Sequence, residues 1–508
     1  MNTPIYDFVK AYNDLRPARF HMPGHKGRGP LGCEDLDLTE IPGADSLYEA
    51  AGIIAESEAN ASKLFGCPTF YSTEGSSHCI RAMLLLASHV APAICRQSDQ
   101  NAASWPADCR RYRGFLVLAA RNVHSAFLTA AALLDLDVVW LPVGGAGSYL
   151  SAHPTPEVLD AALAETGAGA VYLTCPDYLG ELPDLRPLAA VCHAHGALLL
   201  VDNAHGAYLR FLTPSRHPMD LGADLCCDSA HKTLPVLTGG AYLHVSQALA
   251  GVAIGRPPEA AGTEMQNAKC KMQNDFVRDA LALFGSTSPS YLILQSLDLA
   301  NPWLETLPEK LADFLPKVEA LKARLRAAGW TLTGDEPLKL TLRMSGSGVH
   351  GENGFFASLR MTETTPGSAL AAALEQEGVF CEFADPEHVV FLLSPNNTDE
   401  ELERLEAALN AVGSDPLIAP VIAGGNDAAA TRRQEASRDA SLRFCSLRGA
   451  MLAPAVRVPA GESLGRVLAR PGVSCPPAVP ILMPGEIIDE DALAAFEKYG
   501  IGEVSVLL

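Results

Sequence analysis

The chain is short of positive charge. Its 508 residues carry 38 Lys and Arg against 59 Asp and Glu, a formal net charge of −21. That balance provides no broad basic face for a polyanion, so nucleic acid is not an expected partner. It suits solubility, or the gathering of a cationic substrate. Uncharged apolar runs of the ~18–20 residues needed to cross a bilayer are missing as well, so no membrane association is expected. Met1 to Tyr12 carries Asp and Pro and lacks a basic stretch followed by an apolar one, which makes it a poor signal peptide. Thirteen cysteines form an odd set with no C-x-x-C pair. That is the pattern of free thiols in the cytoplasm rather than of a disulfide framework. There is no internal repeat.

What is present is globular: 48% apolar and 19% charged residues in a chain long enough for two or three domains. Between about residues 65 and 245, helical patterns alternate with short apolar runs, among them Gly114 to Ala119, Asp137 to Leu141, Ala170 to Thr174 and Ala197 to Val201. The runs are near-continuously hydrophobic, as strands covered on both faces are. Thr155 to Glu165 and Asp184 to His195 read as the helices between them. The expected fold is therefore α/β, a mostly parallel sheet sandwiched by helices. After residue 308 the pattern changes to a long amphipathic helix, Glu309 to Ala328, then strands at Lys339 to Met344 and Val389 to Leu393, with helices at Ser368 to Glu377 and Asp399 to Val412. The expected division is an N-terminal arm over 1–40, a large domain over 41–308 and a smaller α+β domain over 309–412. A Gly-, Ala- and Asp-rich linker over 413–440 and a C-terminal domain over 441–508 complete it.

Two residues carry the chemistry. The run Ala197 to Val201 ends in Asp202, and Lys232 follows another apolar run, Ala223 to Cys227, thirty positions later. Both stand at the carboxyl edge of the sheet, where open α/β folds bind ligands. A lysine amine and a carboxylate so placed suit pyridoxal phosphate: the amine condenses with the aldehyde, and the carboxylate keeps the pyridine nitrogen protonated. The phosphate needs a donor-rich turn, and Gly75-Ser76-Ser77 supplies one immediately before the helical run Cys79 to Ser88. Ser229 and His231, flanking the lysine, extend that cup. His124, just past the strand ending at Ala119, stands at the same edge, where an imidazole can stack on the cofactor ring.

With those residues placed, the chain resembles the Orn/Lys/Arg decarboxylases, a pyridoxal-phosphate group with the aspartate-aminotransferase-like fold. The resemblance runs over nearly the whole chain and is most specific at Ser229-Ala-His-Lys-Thr-Leu-Pro235 and at Arg19-Phe-His-Met-Pro-Gly-His-Lys-Gly27. It is carried also by Thr39 to Asp45, Ser286 to Tyr291 and Pro480 to Glu486. It implies Lys232 as the Schiff-base residue, Asp202 as the partner of the pyridine nitrogen and His124 as the stacking residue. It implies His205 and Thr287 as further cofactor contacts, with Thr287 reaching the neighbouring subunit of a homodimer or higher homo-oligomer. Glu486 would meet the substrate's distal cation, and His25 would join it. The implied reaction is decarboxylation of a basic amino acid, arginine, lysine or ornithine, to a polyamine-pathway amine, with Lys232 or His231 returning a proton to Cα. The chain looks like the short form of the group. It departs from the pattern at Glu74, expected to turn away from the phosphate, and at Cys475 and Ala478, where Tyr and Gly are usual.

Two other functions are compatible with the same residues. One is amino transfer or elimination on the same scaffold, although an aminotransferase needs an Arg to clamp the α-carboxylate. The other is a non-catalytic partner protein that keeps the fold.

Overall fold

The computed structural model describes residues 1–98, 115–141, 148–251, 276–344, 366–413, 444–472 and 476–508. The linker expected over 413–440 lies outside the described residues except for Gly413, and so does Cys475.

The main sheet has seven strands: β1 (Thr69–Ser72), β2 (Leu116–Ala119), β3 (Asp137–Trp140), β4 (Ala170–Thr174), β5 (Leu198–Asp202), β6 (Leu225–Asp228) and β7 (Ala241–Val245). Their spatial order is β1-β7-β6-β5-β4-β2-β3. All pairings among β2 to β6 are parallel, while β7 runs antiparallel to both of its neighbours. The near-continuous hydrophobicity of the strands follows from the pleat. On β5, Leu199 and Val201 join one core and Leu198 and Leu200 the other. On β4, Val171 and Leu173 divide from Ala170 and Tyr172 in the same way.

One face is covered by α2 (Ile53–Phe65), α5 (Pro156–Thr166) and α6 (Leu185–Ala194), the other by α3 (Gly75–Ser98) and α4 (Ser125–Leu133). The starts of these helices are written locally. The Thr155 hydroxyl accepts from Val158 N and precedes a proline at the first turn, and the Asp184 carboxylate accepts from Arg186 N. The N-terminal α1 (Pro4–Asp14) is held by a buried carboxylate: Asp298 accepts from Ile5 N and Tyr6 N at 2.9 and 3.0 Å. The short helices α7 (Ala230–Thr233) and α8 (Gln247–Gly251) follow β6 and β7, and α9 covers residues 276–284. Asp298 lies on α10 (Tyr291–Glu305).

A second sheet, fully antiparallel, has the order β10-β11-β9-β8, with β8 (Leu332–Thr333), β9 (Lys339–Arg343), β10 (Phe383–Ala384) and β11 (His388–Leu392). Around it lie α11 (Leu307–Ala327), α12 (Pro366–Gln376) and α13 (Asp399–Gly413). Near the C-terminus α14 (Leu447–Leu452) packs on α4. A third sheet joins β12 (Ala455–Pro459), β13 (Leu468–Arg470) and β14 (Glu503–Leu507), with α15 (Glu490–Lys498) over its own small core of Leu468, Leu482, Ile488, Phe496 and Val506. These three strands are not anticipated in the sequence. β12 is largely exposed, so its pattern lacks the buried runs that mark the main sheet. No helix among the described residues is long and apolar enough to cross a membrane.

Candidate active site

Because β2, β4, β5 and β6 are parallel, their carboxyl ends share one edge, and the chain delivers polar residues there. Asp202 closes β5 and is 2% exposed. It accepts from the Tyr172 hydroxyl and from Ala204 N, both at 3.2 Å. Among the described residues no cation pairs with it. Lys232, in the turn of helix after β6, places Nζ 2.9 Å from His205 Nε2. Burial, reinforced by the Lys232 and Lys339 charges, drives the His205 imidazole well below its ordinary range. His205 is therefore neutral and accepts from the lysine, while its buried Nδ1 has no partner among the described residues.

His124 caps α4: its Nδ1 accepts from Ala126 N at 3.1 Å. Burial also lowers its pKa, with Asp202 acting the other way and Lys232 adding to the fall. The neutral ring is thus close enough to feel both charged residues, and its Nε2 carries the hydrogen.

The expected phosphate turn converges with the lysine loop. Gly75 has φ +73, and nothing lies within 4 Å of where a Cβ would stand. That conformation is costly for any residue but glycine, and the open space is a cradle at the start of α3. Ser76 Oγ accepts from Ser229 Oγ at 2.7 Å, across 153 positions. Ser77 lies partly exposed on the same first turn, where backbone N–H groups lack intrahelical acceptors. The turn before β7, unremarked in the sequence, braces the assembly: Gly239 O accepts from Gly75 N at 2.7 Å, and Gly240 O accepts from His231 N and faces His231 Nδ1 at 3.0 Å. Glu74 is exposed, and its Oε1 accepts from Ser286 N at 2.5 Å. The segment carrying Thr287 thus touches the residue before the phosphate turn of its own chain.

The C-terminal segment reaches this edge as well. Ala478 O accepts from Ser125 N at 2.8 Å, and Ala478 has φ +57, a region that explains the usual glycine. Glu486 departs from the expectation of a free anion for the substrate. It forms a fork-to-fork pair with Arg121, at 2.9 and 2.8 Å, and also accepts from Met483 N. With both oxygens taken, it is not an open receiver for a second cation. Nor does it start a helix, since Asp489 caps α15. His25 stands in the N-terminal arm, where its ring meets Asp37 at 3.2 Å and Gly27 N at 3.0 Å.

Behind the lysine loop lies a buried cluster with no sequence signal. Asp228 ends β6, its Oδ2 accepts from His217 Nε2 and His244 Nε2 at 3.1 and 3.0 Å, and its Oδ1 accepts from Asn203 at 2.7 Å. The three titratable side chains have a composition able to hold a metal ion. Here each imidazole proton already has its acceptor.

Comparison with known proteins agrees with this geometry. The family model "Orn/Lys/Arg decarboxylase, major domain" matches residues 108–332. YaaO of Bacillus subtilis (strain 168) is 26% identical over 98% of this chain and 94% of its own. The arginine decarboxylase of the same organism is 25% identical over 98% and 93%. The constitutive lysine decarboxylase of E. coli superposes on the whole chain and 82% of its own, with a TM-score of 0.67 at 17% identity. The chain is similar to the Orn/Lys/Arg decarboxylase family over the greater part of its length. It has the fold of that group, and its cofactor is pyridoxal 5′-phosphate.

The residues of this decarboxylase fit that cofactor. Asp202, a buried carboxylate without a counter-charge among the described residues, calls for a cation such as a pyridinium N–H. The cradle at Gly75, the hydroxyls of Ser76 and Ser229 and the first turn of α3 suit a phosphate. Lys232, facing a neutral histidine, offers the amine. His205 Nδ1 and, next to Lys232 in sequence, Thr233 Oγ1 are buried polar atoms without a partner among the described residues.

Proposed function

We propose that this decarboxylase removes the α-carboxylate of a basic L-amino acid, arginine, lysine or ornithine, as CO2 and releases the corresponding amine. The observation that carries the reading is the meeting of Lys232 Nζ with neutral His205 at the sheet edge where Asp202 lies buried, with no counter-charge among the described residues. Pyridoxal phosphate, when bound, supplies the electron sink for the breaking bond to the carboxylate. Asp202 holds a proton on the ring nitrogen, because a buried carboxylate favours the cation it neutralises. Lys232 would hold the cofactor through Nζ and would be the group that returns a proton to Cα; His231 is the alternative donor. His124 would lie against the ring and, being neutral, would add no competing positive charge. Gly75, Ser76, Ser77 and Ser229 hold the phosphate.

Arginine is the first substrate to assay, since the Bacillus arginine decarboxylases match nearly the full chain. The assembly reads as at least a homodimer with Thr287 at the neighbouring site. Phe20, Met22 and Leu31 are 94%, 70% and 82% exposed in the N-terminal arm, apolar surface that such a contact would cover.

The test is Lys232→Ala. It should abolish both the visible absorbance of the bound cofactor and CO2 release from all three amino acids. Turnover retained in that variant would overturn the assignment.

A further inference from the structure

A basic substrate brings a cation at the far end of its side chain, and that cation needs an anion inside the site. With Glu486 taken by Arg121, the carboxylates near the sheet edge can be sorted by what already holds them. Asp177 is fully buried and accepts from Leu179 N, Glu181 N and His153. Glu336 is buried with Tyr208, and the Lys339 charge acts on it. Glu74 is held by Ser286 N, and Asp202 serves the cofactor.

Glu382 is different. It lies just before β10, on the second sheet, and is only partly buried. Its Oε1 accepts from the Tyr178 hydroxyl at 2.9 Å, a neutral partner, and no cation among the described residues is paired with it. The Tyr178 ring in turn stands edge-on to His205, with centroids 5.1 Å apart and an interplanar angle of 74°. His205 is the residue 2.9 Å from Lys232 Nζ. A path therefore runs from the reactive amine through one imidazole and one phenol to a carboxylate that has no counter-ion among the described residues. The field of that carboxylate reaches the site, raising the proton affinity of His231 and of Lys339 against the larger effect of their burial.

We propose that Glu382, oriented by the Tyr178 hydroxyl, receives the distal cation of the substrate and so determines the preference for basic amino acids. This rests on the basic-substrate reading above. Tyr178 is the positioning residue, since it acts through Glu382.

The experiment compares full-length holoenzymes in CO2 release from arginine, lysine, ornithine and norleucine, which has the lysine chain without its amine. Glu382→Gln should raise KM for the preferred basic substrate ~10- to 100-fold, the loss of one charge-assisted contact. The basic-to-neutral discrimination should collapse, because KM for norleucine does not rise with that for the basic substrate, while Glu382→Asp recovers part of it. Tyr178→Phe should move KM in the same direction by less, and it carries the test if Glu382→Gln does not fold. An unchanged KM and unchanged discrimination in these variants, with wild type active on a basic amino acid, overturns the role of Glu382 alone. Wild type releasing CO2 from none of the three overturns the basic-substrate reading, and this proposal with it.

Discussion

Arg121 and Glu486, 365 positions apart, meet through two parallel hydrogen bonds at 2.9 and 2.8 Å with only 19% and 9% of their side chains exposed. The pair joins the loop after β2 to the C-terminal segment beside His124. Breaking it from one side leaves a largely buried charge unmatched, so Arg121→Ala should cost about 2–3 kcal/mol in denaturant unfolding. The double variant Arg121→Leu/Glu486→Leu should recover a large part of that loss. If the single variant is as stable as wild type, the pair is not a structural tie.

Asp202→Asn should keep cofactor binding but lower kcat about 10²- to 10³-fold, because the partner that holds the ring nitrogen proton is lost. Absorbance of the bound cofactor checks loading, and CO2 release measures the rate. An undiminished kcat in the loaded variant would remove Asp202 from the chemistry.

Gly75→Ala separates fold from cofactor. The open space around the missing Cβ means the protein itself meets no clash, so the cost to stability is the left-handed backbone alone, about 1–2 kcal/mol. If Gly75 lines the proposed phosphate cradle, the added methyl enters it, and the cofactor dissociation constant should rise by about tenfold or more, equivalent to about 1.4 kcal/mol. Equilibrium dialysis against free cofactor measures it.

Stability should have a plateau set by Asp228. Burial alone would raise its carboxyl, but His217 and His244 outweigh that and hold it below the ordinary carboxylate range. Burial likewise opposes protonation of His244, and the facing Asp228 reverses this and raises its pKa. The depressed carboxyl stabilises above its unfolded pKa, about 3.9, and loses that contribution as pH falls through the folded value. The raised imidazole stabilises below about 6.5 and loses its contribution as pH rises through the folded value. Unfolding midpoints measured from pH 3 to 9 should therefore be highest between about pH 4 and 6.5. Asp228→Asn should cost about 3–5 kcal/mol and flatten the profile. Cys67, Cys226, Asn203 and Thr69 also face this cluster and carry no fixed charge that would cancel the effect.

The main sheet was legible in the sequence because a strand buried on both faces writes its burial directly as an apolar run, as at Ala170 to Thr174. Asp202 and Lys232 were legible because each follows such a run, and parallel strands send their ends to one edge. The contact between Ser76 and Ser229 followed from the same placement. Other features had no local trace. Arg121 with Glu486, Glu382 with Tyr178 and Asp228 with its histidines are meetings of side chains from distant segments, fixed by packing rather than by spacing. The capture of Glu74 by Ser286 N belongs with them. β12 and β14 escaped because a half-exposed pair over a small core carries no uninterrupted hydrophobic run.

The reversal of β7 has a mechanical consequence. An antiparallel strand begins where its neighbours end, so the turn entering β7 comes to lie between the carboxyl ends of β1 and β6. Had β7 run with the others, Gly239 and Gly240 would sit at the opposite rim, a strand length or about 17 Å away. Their carbonyls would then be unable to grip Gly75 and His231. One inverted strand thus sets how little play the reactive amine and the anion cradle have relative to each other.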